Sequence, residues 1–258
     1  MKSFFFKYLF DKELKRGIFL KNDFLLRLSL TKGIGAFGKH RIYQFAKRHQ
    51  WWQFDGLEIR LLAQSTKPNN WNEWSGERLK QVERTHQFIT IEDEVYPETL
   101  RHVPTPPLVL FYKGDLALLK RKMLAVVGAR EATNYGYHVL QELMPEITKR
   151  GFTIVSGLAK GIDSFAHQFA ISNQGKTIGV VGTGLDICYP KNSGNLQIEM
   201  SQNHLVLSEY PNGTTPAKFH FPMRNRIIAG LSSGVLVVEA KKRSGSLITA
   251  QQALDYGK

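Results

Sequence analysis

Apolar residues fall in two different rhythms along this chain. From Phe4 to about Arg60 they recur three and four positions apart, in clusters such as Phe24-Leu25-Leu28 and Ile42-Phe45-Ala46, which predicts helices. From Met123 onward they gather into short unbroken runs at 124–127, 152–156, 177–181, 205–208 and 235–239. Four of these five runs lead into turns that contain glycine. Runs of this kind fit strands buried on both faces, and their alternation with helical stretches is the signature of a parallel sheet. Helices are expected over 133–150, closed by Gly151, and from the Gly161-Ile162-Asp163 turn to about Asn173. Others begin near Asn195, at Phe221-Pro222 and near Leu247, the second of these ending near Gly230.

The predicted fold class is therefore α/β, a Rossmann-like doubly wound, mostly parallel sheet preceded by a small all-α module. Three segments follow from the pattern: a helical domain over 1–65, a linker and lead-in segment over 66–122, and the Rossmann-like core over 123–258. The middle segment is polar at first, with Trp71 and Trp74. It then carries Pro97, Pro104, Pro106 and Pro107, which keep the backbone extended. An edge strand is expected over 108–114. In the helical domain, Gly33-Ile34-Gly35 joins two helices in the manner of a helix-hairpin-helix or a related small helical module. Glycine there fits a close approach to a phosphate, with Lys32 and Lys39 adding charge, and equally fits any tight interhelical turn.

Charge sharpens this picture. The net charge is +13, and residues 1–60 alone carry 13 Lys+Arg against 5 Asp+Glu. A basic excess at one end points to a polyanionic partner, with a merely solvated basic face as the competing explanation. No continuous apolar stripe on a basic helix argues for a membrane surface. The opening MKSFFFKYLF is broken by Lys7 and has no small-residue cleavage site, which fits an amphipathic helix better than a secretory leader. A single cysteine, Cys188, excludes an internal disulfide and a cysteine-cluster zinc site, and the expected location is cytoplasmic.

In doubly wound sheets, ligands sit beyond the carboxyl ends of the strands. That rule puts Arg130, Ser156-Gly157, Gly182-Thr183-Gly184, Glu209-Tyr210 and Arg243-Ser244-Gly245 on one rim. No turn here is G-x-G-x-x-G, since Ile187 stands where the third glycine belongs. A P-loop is excluded because Ala170 replaces its leading glycine. Neither Ser156 nor Ser164 lies in a G-x-S-x-G elbow, and Asp163 with His167 reads as a first-turn acid and a packing histidine. Glu209 and Glu239 end two strands and offer a carboxylate pair, or anchors for neighbouring loops and basic side chains. Lys218, His220, Phe221, Arg224 and Arg226 crowd into nine residues with Phe219 among them. Cations for phosphates and rings for bases are what a single-stranded nucleic acid needs. Phe221 is the expected stacking ring, and Phe219 is expected to pack into the core.

Several longer motifs then resemble the DNA-processing protein A (DprA, or Smf) family. They are SGLAKGID from Ser156, GLDICYP from Gly184, LSEYP from Leu207, FPMRNRIIAGLS from Phe221, VVEA from Val237 and RSGSLITA from Arg243. The likeness covers 123–258 almost continuously and extends more loosely to Tyr96-Pro97. It implies a single-stranded DNA-binding recombination mediator that protects incoming DNA and helps load the RecA recombinase during natural transformation. It also implies a small helical domain of sterile-alpha-motif or helix-hairpin-helix type in front, a homodimer for the full-length family and no turnover; on the residues themselves, no cofactor or metal is expected. By the resemblance Arg130, Lys218 and Phe221 belong to the DNA pocket, with Arg224 and Lys191 added on charge and position. The wider candidate set takes in Ser156, Gly157, Lys160, Asn225, Arg243, Ser244 and Gly245. The family continues past Lys258 into another strand, so the sheet is expected to carry an unpaired edge here. The alternative reading is a Rossmann enzyme of the nucleotide phosphoribohydrolase type with Glu209 or Glu239 as acid or base, although its Pro-Gly-Gly-x-Gly-Thr loop is missing.

Overall fold

A computed structural model describes residues 21–66, 69–242 and 244–258. The opening amphipathic stretch and Arg243 lie outside the described residues. Three helices form the front of the molecule: α1 (Lys21–Leu30), α2 (Ala36–His49) and α3 (Gly56–Ala63). Asp55 caps α3 by accepting from the N–H groups of Leu57 and Glu58, and Glu58 returns a bond to the Asp55 N–H, a reciprocal capping box. Phe24 of α1 packs its ring against Trp52, Phe54 and Trp71 at centroid distances of 5.4–5.9 Å. Trp71 is fully buried and donates its indole N–H to the Phe54 carbonyl at 2.9 Å. The polar stretch near 70 thus contributes a core anchor to the helical layer, followed by α4 (Gly76–Thr85).

A seven-stranded sheet follows: β1 (Phe88–Thr90), β2 (Val109–Gly114), β3 (Met123–Gly128), β4 (Thr153–Ser156), β5 (Lys176–Val181), β6 (Leu205–Ser208) and β7 (Val235–Val238). Its order is β1-β2-β6-β5-β4-β3-β7, with β3 to β7 parallel and β1 and β2 antiparallel additions. The expected edge strand is therefore internal, since β2 pairs with both β1 and β6. Val109, Leu110 and Phe111 are fully buried, so a water-facing edge would not suit them. Among the described strands the two edges are β1 and β7.

Helices α6 (Asn134–Lys149) and α7 (Ile162–Ser172) cover one face of the sheet, after the short α5 (Glu98–Arg101). Helices α8 (Gly194–Asn203), α9 (His220–Leu231) and α10 (Gly245–Asp255) complete the chain. The strands divide their side chains by pleat. Val126 and Ile154 join the core under α6 and α7, whereas Ala125, Val127 and Val155 join the larger core that runs continuously to α1. Helix α9 ends at Leu231, next to Gly230 as expected. Gly230 itself lies inside the helix, where an added Cβ would stand 2.5 Å from Leu100 of α5, so its role is close helix packing.

Helices and sheet are tied at Glu92. Lys21 of α1 and Tyr43 of α2 both donate to its carboxylate, and Lys47 does so at 2.9 Å. Burial alone would raise the Glu92 pKa, but these hydrogen bonds prevail and hold it at about 2. Lys39, near the Gly33-Ile34-Gly35 turn, donates to the Ser29 carbonyl at 2.5 Å, and burial lowers its pKa to about 8. Its ammonium is spent inside the protein, leaving exposed Lys32 as the cation beside that turn.

Candidate nucleic-acid interface

The chain winds from β3 outward to β6 and then returns to place β7 on the opposite side of β3. This reversal opens a crevice at the carboxyl ends of β3 and β7, where such sheets hold ligands. A cleft of about 700 Å³ lies there. Its walls include Arg130 after β3, Asp163 on α7, Tyr189, Lys218, Phe221 and Arg224 of the α9 segment, and Lys241 and Ser244 after β7.

Glycines make the walls possible. A Cβ on Gly128 would sit 1.9 Å from the Val238 carbonyl oxygen. Gly161, at φ +84°, brings the turn after β4 against that after β3, and a side chain there would meet the Ala129 and Arg130 carbonyl oxygens at 2.3 and 2.6 Å. The Ile162 N–H donates to Ala129 at 3.1 Å, which fixes the backbone that carries Arg130.

The exposed cations Arg130, Lys218 and Lys241 line the cleft. The Arg130 guanidinium carbon stands 5.6 Å from the centre of the Phe221 ring. Tyr189 stacks on Phe221 with centroids 5.5 Å apart and planes 28° from parallel. Asn225 donates to the Gly245 carbonyl at 3.1 Å, tying α9 to the start of α10. In the first turn of α10 the Leu247 N–H donates to the Ser244 carbonyl at 3.2 Å, and Ser244, Gly245 and Ser246 line the cleft at this helix start.

Other expected contacts have different occupations. Ser156 is fully buried and donates to the Val126 carbonyl at 2.6 Å, so its hydroxyl locks β4 to β3 and does not face a ligand. Gly157 is also buried, its N–H donating to Asp163 at 3.2 Å. Arg224 is only 5 % exposed and donates to the carbonyls of Gly157, at 2.5 Å, and Val180. Burial lowers its pKa to about 10, with Asp163 opposing the shift. It remains charged at neutral pH and forms part of the floor. Lys160 and Lys191 are exposed but lie outside the cleft lining. The Ser244 hydroxyl pairs with that of Ser246 at 2.8 Å.

One arginine of α9 has its anion within the protein. Arg226 is buried and donates to both carboxylate oxygens of Glu209 at 2.6 Å. Glu239 instead accepts from the Thr133 N–H at 2.9 Å and its hydroxyl at 3.1 Å, holding the start of α6. The two glutamates thus serve separate anchors and form no carboxylate pair. Asp163 and His167 likewise part company, for His167 bonds to Thr177 at 2.6 Å. Phe219 is 67 % exposed, its neighbour His220 taking the inward place by bonding to the Gly182 carbonyl at 3.0 Å. Helix α9 begins at His220, one residue ahead of the expected start, and His220 rather than Phe219 is its first inward side chain.

Tyr189 and Lys241 were not expected at the site. Tyr189 sits inside the GLDICYP motif, but nothing in its spacing marks it as a wall residue. It reaches the cleft because the loop after β5 folds back over α9. Among the described residues no three His, Cys, Asp or Glu side chains cluster as metal ligands, and no helix is long and apolar enough to cross a membrane.

The sequence profile described as DNA recombination-mediator protein A matches residues 87–258. The DNA processing protein DprA of Bacillus subtilis is 49 % identical over 171 residues, 66 % of this chain and 58 % of that protein. Its Streptococcus pneumoniae counterpart is 52 % identical over 170 residues, again 66 % of this chain and 60 % of that protein. The aligned parts thus span somewhat under two thirds of these relatives. The crystal structure of Streptococcus pneumoniae DprA superposes with a TM-score of 0.83 at 38 % identity, covering 94 % of this chain and 86 % of that one. The Helicobacter pylori DNA processing protein A, whose single-stranded DNA binding mode has been described structurally, superposes at 0.61 with 35 % identity over 67 % of this chain and 78 % of that one. With the match running through the strands, the cleft turns and α9 alike, the chain belongs to the DNA recombination-mediator protein A family, that of DprA and Smf.

Proposed function

We propose that the chain binds single-stranded DNA across this cleft and acts in the cytoplasm as a recombination mediator with no turnover of its own. Incoming single strands would be protected on it and passed to the RecA recombinase during natural transformation, with a homodimer as the working form. The observation that carries the reading is the pairing of exposed cations with stacked rings at the sheet's switch point. Lys218 and Lys241 are exposed beside the Tyr189–Phe221 pair, an arrangement suited to backbone charge on one side and base faces on the other. The glutamates that an enzymatic reading needs are instead engaged with Arg226 and Thr133. The single-strand binding described for the Helicobacter relative adds support. The test is binding of labelled oligo-dT by the unsubstituted chain and by Lys218→Ala, with affinity expected to fall in the variant. RecA loading is tested separately, by whether the chain speeds RecA filament growth on strands already coated with a single-strand-binding protein.

A further inference from the structure

Phe221 is the obvious ring for a base, but it is half-buried and already has two π partners, Tyr189 and the Arg130 guanidinium. Tyr189 has only one of these contacts among the described residues, and 44 % of it is exposed. A base arriving from solvent therefore meets Tyr189 without displacing anything, whereas at Phe221 it competes with Arg130 or Tyr189.

The loop that carries Tyr189 is held at several points. Gly184 donates to the Thr214 carbonyl at 2.9 Å, and Asp186 accepts the Gly213 N–H at 2.9 Å through either oxygen. The Thr183 hydroxyl donates to Ile187 at 3.1 Å, and Ser193 closes the turn on Pro190 at 3.0 Å. A ring fixed in this way loses little freedom when a base stacks on it. Exposed Lys191 follows two residues later, close enough along the chain to meet the next phosphate.

We infer that Tyr189 presents the ring on which a base of the bound strand stacks, and that Arg130, Phe221 and Tyr189 form a preassembled column which the strand extends. The inference rests on the single-strand reading above and adds a residue and a direction to it. Phe221 then acts chiefly as the support of Tyr189, and the strand leaves the cleft toward Lys191.

Labelled dT oligonucleotides and abasic oligomers of equal length distinguish stacking from propping. The unsubstituted chain is expected to prefer the dT oligomer, and Tyr189→Phe to keep that preference. Tyr189→Leu, which retains bulk but no π face, is expected to lose roughly 5- to 150-fold on dT and little on the abasic strand. Unchanged dT affinity in Tyr189→Leu overturns the assignment and makes Tyr189 a spacer. A second readout uses 2-aminopurine oligonucleotides at saturating protein. Emission is expected to be quenched by the unsubstituted chain and higher with Tyr189→Leu, and equal emission from the two complexes overturns the inference. Failure of the unsubstituted chain to bind either oligomer overturns the single-strand reading itself, and Tyr189's role with it.

Discussion

The Arg224 guanidinium fills the space that a side chain at Gly157 would need: a Cβ there would lie 2.2 Å from its Nη1. Because Arg224 also donates to the carbonyls of Gly157 and Val180, the arginine cannot move aside without leaving buried acceptors unpaired. Gly157→Ala is expected to destabilise the protein by about 1–3 kcal/mol, measured by chemical denaturation, through overpacking rather than loss of a ligand contact. An unchanged midpoint would mean that the floor of the cleft is looser than these distances describe.

Arg224 and Lys218 stand nine-tenths buried and exposed, respectively, and their alanine variants should separate accordingly. Arg224→Ala is expected to cost stability, on the order of 1–3 kcal/mol for each carbonyl left bare, together with affinity. Lys218→Ala should leave the melting temperature in place. It should weaken binding to all single strands alike and reduce the slope of log K against log salt by about 0.7 if one phosphate contact is lost. An unaltered salt slope would remove Lys218 from the phosphate path.

The histidine inside α7 gives a pH dependence. Thr177 donates its hydroxyl proton to the Ile154 carbonyl at 2.9 Å, so it accepts from His167 Nδ1, and His167 Nε2 is left bare and buried. Burial lowers the His167 pKa to about 3. The unfolded chain, with an ordinary histidine near 6.5, binds this proton first, so stability is full above that value and falls as pH drops toward 3. About 2 kcal/mol should be lost between pH 7 and pH 5 from this residue. Asp163, raised by burial, acts in the opposite sense, and it is common to both proteins when His167→Gln is compared with the parent. The variant's stability should be flatter over that range, and equal slopes would contradict the assignment.

Glu209→Gln tests the buried pair. It leaves Arg226, whose side chain is 4 % exposed, without a matching charge. Breaking such a pair from one side is expected to cost about 3 kcal/mol in unfolding free energy. If Glu209 were instead a catalytic acid, the substitution would spare stability.

Much of the fold was legible in the sequence because parallel strands buried on both faces write themselves as unbroken apolar runs. All five runs from 124 to 239 became β3 to β7. The position of β2 was not legible, since pairing on a strand's second edge leaves no mark in its own pattern. At the site, Arg130, Lys218 and Phe221 came to one cleft, the first as the strand-end rule suggested and the other two as charge and ring chemistry did. Ser156 and Gly157 did not face it. A serine or glycine at a strand end serves a neighbouring carbonyl or side chain as readily as a ligand, and here the Val126 carbonyl takes Ser156 and the Arg224 guanidinium packs on Gly157. Tyr189 escaped notice for the converse reason. Its partner Phe221 lies 32 positions away, and the turn that brings them together is set by contacts among Gly184, Asp186 and Gly213.

The central claim is single-strand binding, and the most direct measurement is a titration of fluorescent oligo-dT and the matching duplex at two salt concentrations. The account predicts tight binding to the single strand that weakens with salt by about 0.7 log units per log unit for each phosphate held, and much weaker binding to the duplex. A folded sample that ignores the single strand at low salt, or prefers the duplex, would contradict it.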